Sequence, residues 1–309
     1  MVHHTLVDRR PMPEAGRAMA PVRSDVTIGL WLGFLGVAIF GVTLPVTKLA
    51  LADFSPWFIT FARALLAGVA AAVTLAVLRR PAPWARSGAI LASSLMLVVG
   101  FPGFMAVAMQ SVPASHGGVV LGILPLATAI MASLIAGERP SPAFWGWGIV
   151  GAGLVLAFTL RESGLRIVPG DVWLFAPGLC AATGYVIFGK LTRDMPGWEV
   201  ICWALVASLP VTAVGSTFTW NAAFLDASAV SLSALGYAAF FSMFLGFFAW
   251  NAGLARGGIA RVSQVQLLQS FVTIAVAAAL LGEEIAPATI VFAAMVAFVV
   301  WMGRRAKIG

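Results

Sequence analysis

Polar side chains that could bind a small molecule are concentrated in one short segment of an otherwise apolar chain. Gln266, Gln269, Ser270 and Thr273 follow the i, i+3, i+4, i+7 spacing of a single helix face. An amide that faces lipid is costly, so this face must contact protein or a water-filled cavity. There the amides can hydrogen-bond the amino and carboxyl groups of a solute, or they can join neighbouring helices. The sequence leaves both interpretations open.

One charged side chain lies well inside an apolar segment. Arg63 is about two helical turns from the nearer end of its segment, roughly 10 Å by helical rise. A guanidinium can bind a solute carboxylate in a bidentate way. It can also pair with Asp53 or extend toward the membrane surface, and the sequence favours this second interpretation.

The composition places these residues in a membrane protein. Of the 309 residues, 61% are hydrophobic and 10% are charged, and the mean hydropathy is +0.97. Soluble domains are about 45–50% apolar and about 25% charged, so a cytosolic enzyme and a secreted disulfide scaffold are excluded. The net charge of +7 is scattered rather than gathered on a basic face, which excludes a nucleic-acid partner. Cys180 and Cys202 lie in apolar segments as core residues, and no metal or cofactor is expected.

Ten apolar segments of roughly 20 residues predict an all-α integral membrane protein with ten transmembrane helices. The segments are approximately 28–50, 56–78, 88–109, 115–136, 142–160, 172–190, 198–217, 231–254, 259–281 and 287–303. The Lys and Arg residues of the tails and connections fall mainly on one side, fifteen against three. This bias predicts that both termini are cytoplasmic. We therefore expect a multi-pass protein of a bacterial inner membrane.

The chain also contains an internal repeat. Residues 132–138 parallel residues 277–283, and Lys48 parallels Lys190, at an offset of about 142–145 residues. The repeat divides the chain into five-helix halves at 26–161 and 171–303, with a disordered cytoplasmic tail at 1–25 and a short tail at 304–309. Because five is odd, the two halves are inverted in the membrane. Inverted repeats are typical of secondary transporters, which bind substrate at the interface of the repeats.

Three short motifs point to a known family. They are Pro125 followed by Gly137-Glu138, Gly282-Glu283 in the second half, and Phe101-Pro102-Gly103. Together with the ten predicted helices, they resemble the EamA type of the drug/metabolite transporter superfamily, closest to its YddG-like exporters of aromatic and neutral amino acids. The resemblance implies a central cavity lined mainly by the third, fourth, eighth and ninth helices, with contributions from the first and sixth.

Further candidates for the cavity and its movements are polar, aromatic, glycine and proline residues inside the predicted helices. The substrate-binding candidates are Gln266, Gln269, Ser270, Trp250, Asn251, Tyr185, Phe188, Gln110, Phe101 and Trp203. The gating or hinge candidates are Pro45, Pro102 and Pro125. Close helix contacts are predicted at Gly29-xxx-Gly33, Gly118-xxx-Gly122 and Gly253-xxx-Gly257.

The function predicted from these features is export of small, neutral, partly hydrophobic metabolites by alternating access. Amino acids are the expected substrates, aromatic or branched ones first, with threonine and methionine also included. A drug or nucleotide-sugar carrier of the same superfamily is the alternative. An integral membrane enzyme ranks below both, because no catalytic cluster is present. The partners are the substrate and the lipid bilayer, and one chain holds both halves, so a monomer can be complete.

The sequence also suggests how transport is driven. No Asp or Glu lies well inside any predicted span, and His116, near the start of the fourth, is the one histidine outside the N-terminal tail. Proton-coupled carriers usually use a buried carboxylate or histidine. We therefore expect a facilitator driven by the substrate gradient.

Overall fold

The structure, a computed structural model, describes residues 23–136, 141–162, 169–257, 262 and 265–305. All regular secondary structure in these ranges is helical. The α-helices are α1 (Arg23–Ala50), α2 (Pro56–Val77), α3 (Ser87–Ser94), α4 (Phe101–Ala108), α5 (Ala114–Leu121), α6 (Leu124–Ala136), α7 (Pro142–Glu162), α8 (Pro169–Leu191), α9 (Gly197–Phe218), α10 (Ala229–Gly236), α11 (Gly246–Gly257), α12 (Gln269–Leu281) and α13 (Pro287–Arg305). The predicted tails at 1–25 and 304–309 fall largely outside the described residues, as does Gly137-Glu138.

Six helices in the described ranges are long and apolar enough to cross a bilayer. They are Val26–Ala50, Pro56–Val77, Trp84–Ala108, Pro169–Leu191, Gly197–Phe218 and Ala229–Gly257. A seventh span is formed if Ala114–Leu121 and Leu126–Ile135 are counted together, across a bend of 43°. Two apolar helices are shorter, Gln266–Leu281 and Pro287–Gly303. The prediction of an all-α membrane protein is confirmed.

Two of the spans contain a π-helical segment at matching places in the two halves. Leu95–Gly100 joins α3 to α4, and Tyr237–Leu245 joins α10 to α11. They begin 142 residues apart, within the offset at which the sequence repeats. A π-helical turn widens the helix and is often found at functional sites. Both segments contribute residues to the central cavity described below.

Helices α1 and α11, from opposite halves of the chain, cross without side chains between them. A Cβ atom on Gly29 would lie 2.2 Å from the Gly257 nitrogen, and one on Gly253 would lie 2.6 Å from the Gly33 nitrogen. The two predicted glycine motifs therefore pack against each other, which confirms the predicted close contact. In the absence of side chains, the two backbones approach to van der Waals distance.

The third glycine motif brings α5 onto α12. A Cβ on Gly118 would lie 2.8 Å from Thr273 Cγ2, and one on Gly122 would lie 2.8 Å from Ser270 Oγ. Both partners belong to the polar face predicted from the sequence. This close packing fixes the position of that face relative to the fourth predicted span.

The predicted pairing of Arg63 with Asp53 is wrong. Asp53 lies in the turn after α1, where it accepts hydrogen bonds from the Ser228 backbone N–H at 2.9 Å and the Ser228 hydroxyl at 2.7 Å. These bonds, together with one from Ser231, stabilise the carboxylate and lower the pKa of Asp53. Because Asp53 is already bound by residues of the other half of the chain, Arg63 requires a different partner.

Candidate functional site

A central cavity with two adjoining lobes lies between the two halves of the chain. The lobes share Leu44, Phe101, Tyr185 and Gln269. The first lobe is completed by Gly118, Leu121, Gly122, Leu124, Gln266, Leu267, Ser270, Thr273, Val296 and Ala297. The second lobe is completed by Phe40, Thr43, Arg63, Leu97, Val98, Pro102, Ile201, Ser242, Met243 and Phe247.

Both lobes are narrow. About 40 Å³ of the first lobe and about 50 Å³ of the second are open to the centre of a water molecule. One water needs roughly 10–15 Å³ on this measure, so each lobe has room for a few waters. A larger solute fits only when the surrounding helices or side chains move apart.

Arg63 brings a positive charge, which no carboxylate of the described residues neutralises, into the second lobe. Its side chain projects from α2, and the residue is 3% exposed. The described residues provide no carboxylate within ion-pair distance, and Arg63 Nε is buried without a hydrogen-bond partner. A buried guanidinium in a membrane is costly and usually functional. The alternative prediction that Arg63 extends toward the membrane surface is also wrong, because the side chain is enclosed between helices.

A chain of hydroxyl groups holds the Arg63 guanidinium in place. Arg63 Nη2 donates to Ser242 Oγ at 3.2 Å. Ser242 Oγ lies 2.7 Å from Thr43 Oγ1, and the Thr43 hydroxyl donates to the Ile39 carbonyl. A hydroxyl oxygen has two acceptor lone pairs, so Ser242 accepts from Arg63 whichever of the Thr43 and Ser242 hydroxyls donates to the other. The chain links α2, the second π-helical segment and α1, and it leaves further guanidinium donors for a ligand.

The polar face predicted from the sequence lies on the 3₁₀ turn Gln266–Leu268 and on α12 directly after it, and it divides into two functions. The Ser270 hydroxyl donates to the Gly118 carbonyl and the Thr273 hydroxyl to the Gly41 carbonyl, both at 2.8 Å. These hydroxyls therefore join helices. All four residues line the first lobe, and Gln269 borders both lobes. Because the two hydroxyls are used in joining helices, the amides are the groups of this face that we assign to a solute.

The aromatic candidates also separate into two groups. Phe101 and Tyr185 border both lobes. Phe188 lies behind the cavity wall, with its ring 6.1 Å from that of Phe247. Trp203 packs in a neighbouring hydrophobic cluster. The structure brings the first two residues together at the cavity and leaves the second two outside its lining.

Three further candidates lie away from both lobes. Trp250 packs against Gly36 at the contact between α1 and α11. Asn251 donates to the Phe247 carbonyl at 2.8 Å, one turn earlier in the same helix. Gln110 follows the end of α4 and is exposed. The structure therefore places these three predicted substrate-binding residues outside the lining of both lobes.

The proline candidates occupy different positions relative to the cavity. Pro102 lines the second lobe directly after the first π-helical segment. Pro45 is buried inside α1, next to the shared residue Leu44. Pro125 lies in the first turn of α6. Pro102 is therefore the one of the three that can couple a helix bend directly to the cavity wall.

Several lining residues were missed by sequence reasoning, most clearly Phe40, Thr43 and Ser242. Phe40 lies at the repeat offset of 145 residues from Tyr185, and both contact the second lobe. Looking in the first half of the chain for the residue that corresponds to Tyr185 would have identified Phe40. Thr43 and Ser242 carry no comparable signal, since single hydroxyls are common in membrane helices.

A carboxylate caps the N-terminus of α5. Glu283, just after α12, accepts hydrogen bonds from the Ala114 N–H at 2.8 Å, the Ser115 N–H at 3.0 Å and the Ser115 hydroxyl at 2.6 Å. Lys48 donates to the Val112 carbonyl at 2.8 Å, one residue before the helix cap. The Gly282-Glu283 motif therefore connects the second half of the chain to a cavity-lining helix of the first.

Replacing Glu283 by glutamine should lower the melting temperature by roughly 2–8 °C. The amide retains one acceptor oxygen but loses the charge that favours a helix N-terminus, a loss of about 1–2 kcal/mol. Thermal unfolding of the purified protein measures the shift. Glu284→Gln, at the exposed neighbouring carboxylate, is the matched control. Equal melting temperatures for the two variants would contradict the assignment of Glu283 as a cap.

A second acidic residue contacts α5, and the structure buries it at the start of a span. Asp171 in the first turn of α8 is 2% exposed, and its Oδ1 lies 3.0 Å from Nε2 of His116, which is 3% exposed. The sequence prediction began this span at residue 172, so Asp171 was assigned to the preceding loop. The structure instead encloses it between helices.

Comparisons with known proteins agree with this architecture. The sequence matches the EamA-like transporter family twice, over residues 27–160 and 168–303. The uncharacterized transporter YdeK of Bacillus subtilis (strain 168) is 41% identical over 82% of this chain and 90% of its own. The aromatic amino acid exporter YddG of Ancylobacter novellus is 24% identical over 63% of this chain and 66% of its own. A solved crystal structure superposes with a TM-score of 0.60 at 17% identity, covering 90% of this chain and 96% of the other, which shows a shared fold. Two matched repeats and a 41% identical relative establish that the chain belongs to the EamA-like transporter family.

Proposed function

We propose that this chain is a secondary transporter that exports small, partly hydrophobic metabolites bearing one carboxylate. Amino acids fit this description, and aromatic ones fit it best. The observation that carries the proposal is Arg63, a buried cation to which the described residues offer no carboxylate partner, in a cavity that Phe40, Phe101, Tyr185 and Phe247 also line. A carboxylate would pair with the guanidinium, and an apolar side chain would pack on the rings.

The amides of the first lobe complete a site for an amino acid. Gln266 and Gln269 offer carbonyl oxygens to an α-ammonium group and N–H groups to a carboxylate. Gln269 borders both lobes, so it can contact a solute that is also bound to Arg63. The name of one relative, an aromatic amino acid exporter, supports the same substrate class.

Charge in the cavity argues against a nucleotide-sugar substrate. A diphosphate carries at least two negative charges and needs several cations around it. Arg63 is the one cationic residue among those that line the two described lobes. A single carboxylate therefore fits the site better than a phosphate ester.

The proposal includes the topology predicted from the sequence. Ten spans in two inverted halves, with both termini in the cytoplasm of a bacterial inner membrane, place α5's N-terminus at the outer side. Alternating access then consists of opening the narrow cavity to one side at a time. The close crossing of α1 and α11 and the capped end of α5 are contacts that such a cycle would have to loosen.

Counterflow in proteoliposomes tests the proposal. Vesicles loaded with unlabelled L-phenylalanine, L-methionine or L-threonine are diluted into trace labelled L-phenylalanine, with UDP-glucose as a further load. We expect saturable accumulation with the amino acids, strongest with phenylalanine, and none with UDP-glucose. Absence of accumulation with every amino acid, or accumulation only with UDP-glucose, would refute the proposed substrate class.

A further inference from the structure

The His116–Asp171 pair joins two helices that line the cavity. His116 is on α5, two residues before Gly118 of the first lobe, and Asp171 is on α8, the helix that carries Tyr185. The imidazole also packs against the Phe158 ring, with centroids 5.0 Å apart. A titratable pair in this position can sense a proton and transmit the change to the cavity wall.

The contact distance lets the pair hold one proton or two. Nε2 of His116 lies 3.0 Å from Oδ1 of Asp171, within reach of a shared proton. A second proton on Nδ1 makes an imidazolium beside the carboxylate, and the attraction between these two charges favours that form. Burial of the imidazole opposes it, so opening the pair to water shifts the balance toward the second proton.

The other charges that the described residues place on the elements around His116 are of both signs. The elements that pack on α5 are α1, α7, α8, α12 and α13. The last two contain no ionisable side chain before the final turn of α13. Among the described residues, the ionisable groups of the remaining elements and of the turn after α12 are Arg23, Asp25, Lys48, Arg161, Glu162, Asp171, Cys180, Tyr185, Lys190, Glu283 and Glu284. Glu162 is ion-paired with Arg161 at 3.6 Å, and Glu283 caps α5. Asp171 therefore provides the closest negative charge to the imidazole.

We propose that the His116–Asp171 pair is a proton-binding site that couples substrate export to proton entry. This inference rests on the proposed transport function. When the cavity is open to the outer side, Nδ1 of His116 accepts a proton from solvent as substrate leaves. The resulting ion pair draws α5 and α8 together and closes that side. When the cavity opens to the cytoplasm, the proton leaves Nδ1 and the imidazole returns to its neutral form, so one proton enters for each substrate exported.

An imposed pH gradient tests the coupling. Proteoliposomes at internal pH 6.5 are placed at external pH 7.5 with labelled L-phenylalanine on both sides and the membrane potential clamped at zero. A one-for-one proton exchanger should concentrate phenylalanine up to tenfold on the acidic side, and a facilitator should leave it equal. We expect accumulation by the wild type and by Glu284→Gln. His116→Asn and Asp171→Asn should retain detectable exchange at equal pH and lose accumulation.

The outcomes separate the coupling from the transport function. Exchange by the wild type without accumulation, or full accumulation by either variant, would overturn the coupling and leave the proposed function intact. Absence of all exchange would refute the proposed function.

The pair is then tested directly by ¹⁵N NMR of the full chain with His3→Ala and His4→Ala, which leaves His116 as the single histidine. We expect its imidazole to gain and lose a proton between pH 5 and 8.5 and its titration to change in Asp171→Asn. A protonation state that is constant over this range would overturn the proposal.

Discussion

Replacing Arg63 by glutamine is expected to reduce L-phenylalanine exchange at least tenfold at subsaturating substrate. A hydrogen bond to a charged group contributes about 1.5–3 kcal/mol, which corresponds to roughly a 10- to 150-fold change in affinity. Glutamine retains a donor for Ser242 but loses the positive charge. The measurement is the concentration dependence of counterflow, in which KM should rise more than the maximal rate falls.

Two further variants separate a binding role for Arg63 from a structural one. Arg63→Lys keeps the charge but loses the planar fork of donors, so it should recover only part of the exchange. Arg86→Gln removes an arginine that is half exposed and ion-paired with Asp194, so it should behave as the wild type. An Arg63→Gln protein that is folded and exchanges phenylalanine at the wild-type KM would show that the substrate does not bind this charge.

Introducing a leucine at Gly253 should impair both stability and transport. Its Cβ alone would lie 2.6 Å from the Gly33 nitrogen and 2.9 Å from the Gly29 carbonyl oxygen. These are backbone atoms that cannot rotate away, so α1 and α11 must separate. Overpacking of this kind costs about 1–3 kcal/mol or more, and we expect a melting temperature lower by roughly 5–10 °C and a loss of most exchange.

The matched control for this variant is Gly153→Leu on α7. No atom lies within 4 Å of a Cβ built at Gly153. Both variants add the same side chain to a membrane helix, and they differ in whether another backbone lies against it. Equal melting temperatures and equal exchange rates in the two proteins would show that the α1–α11 crossing does not require glycine.

Composition and residue spacing predict some features of this fold and leave others open. The helical segments, the glycine contacts and the presence of a buried arginine follow from composition and spacing. The partner of that arginine did not follow, because Asp53 is bound by Ser228, which is 175 residues away in the chain. A linear pattern shows that a charge lies inside a segment but gives no information on which distant side chain approaches it.

The cavity was predictable only in part for the same reason. Four polar residues share a face of the ninth predicted helix and all four line the first lobe, but the Ser270 and Thr273 hydroxyls bond to backbone carbonyls, which leaves the two amides for a solute. The distinction depends on how closely α5 and α1 approach α12, which spacing alone does not encode. Asp171 was missed because hydropathy assigns the end of a span to a loop, whereas packing of α5 against α8 buries it.

The central claim is that Arg63 binds the substrate carboxylate inside the cavity, and comparison of two ligands tests it most directly. L-Phenylalanine and L-phenylalaninamide differ in a single functional group, the carboxylate or its neutral amide. Calorimetric titration of the purified protein with each ligand gives the ratio of the two affinities, for the wild type and for Arg63→Gln. We predict that the wild type prefers phenylalanine at least tenfold and that this preference falls to about one in the variant. The same ratio of affinities in the wild type and in Arg63→Gln would contradict the claim.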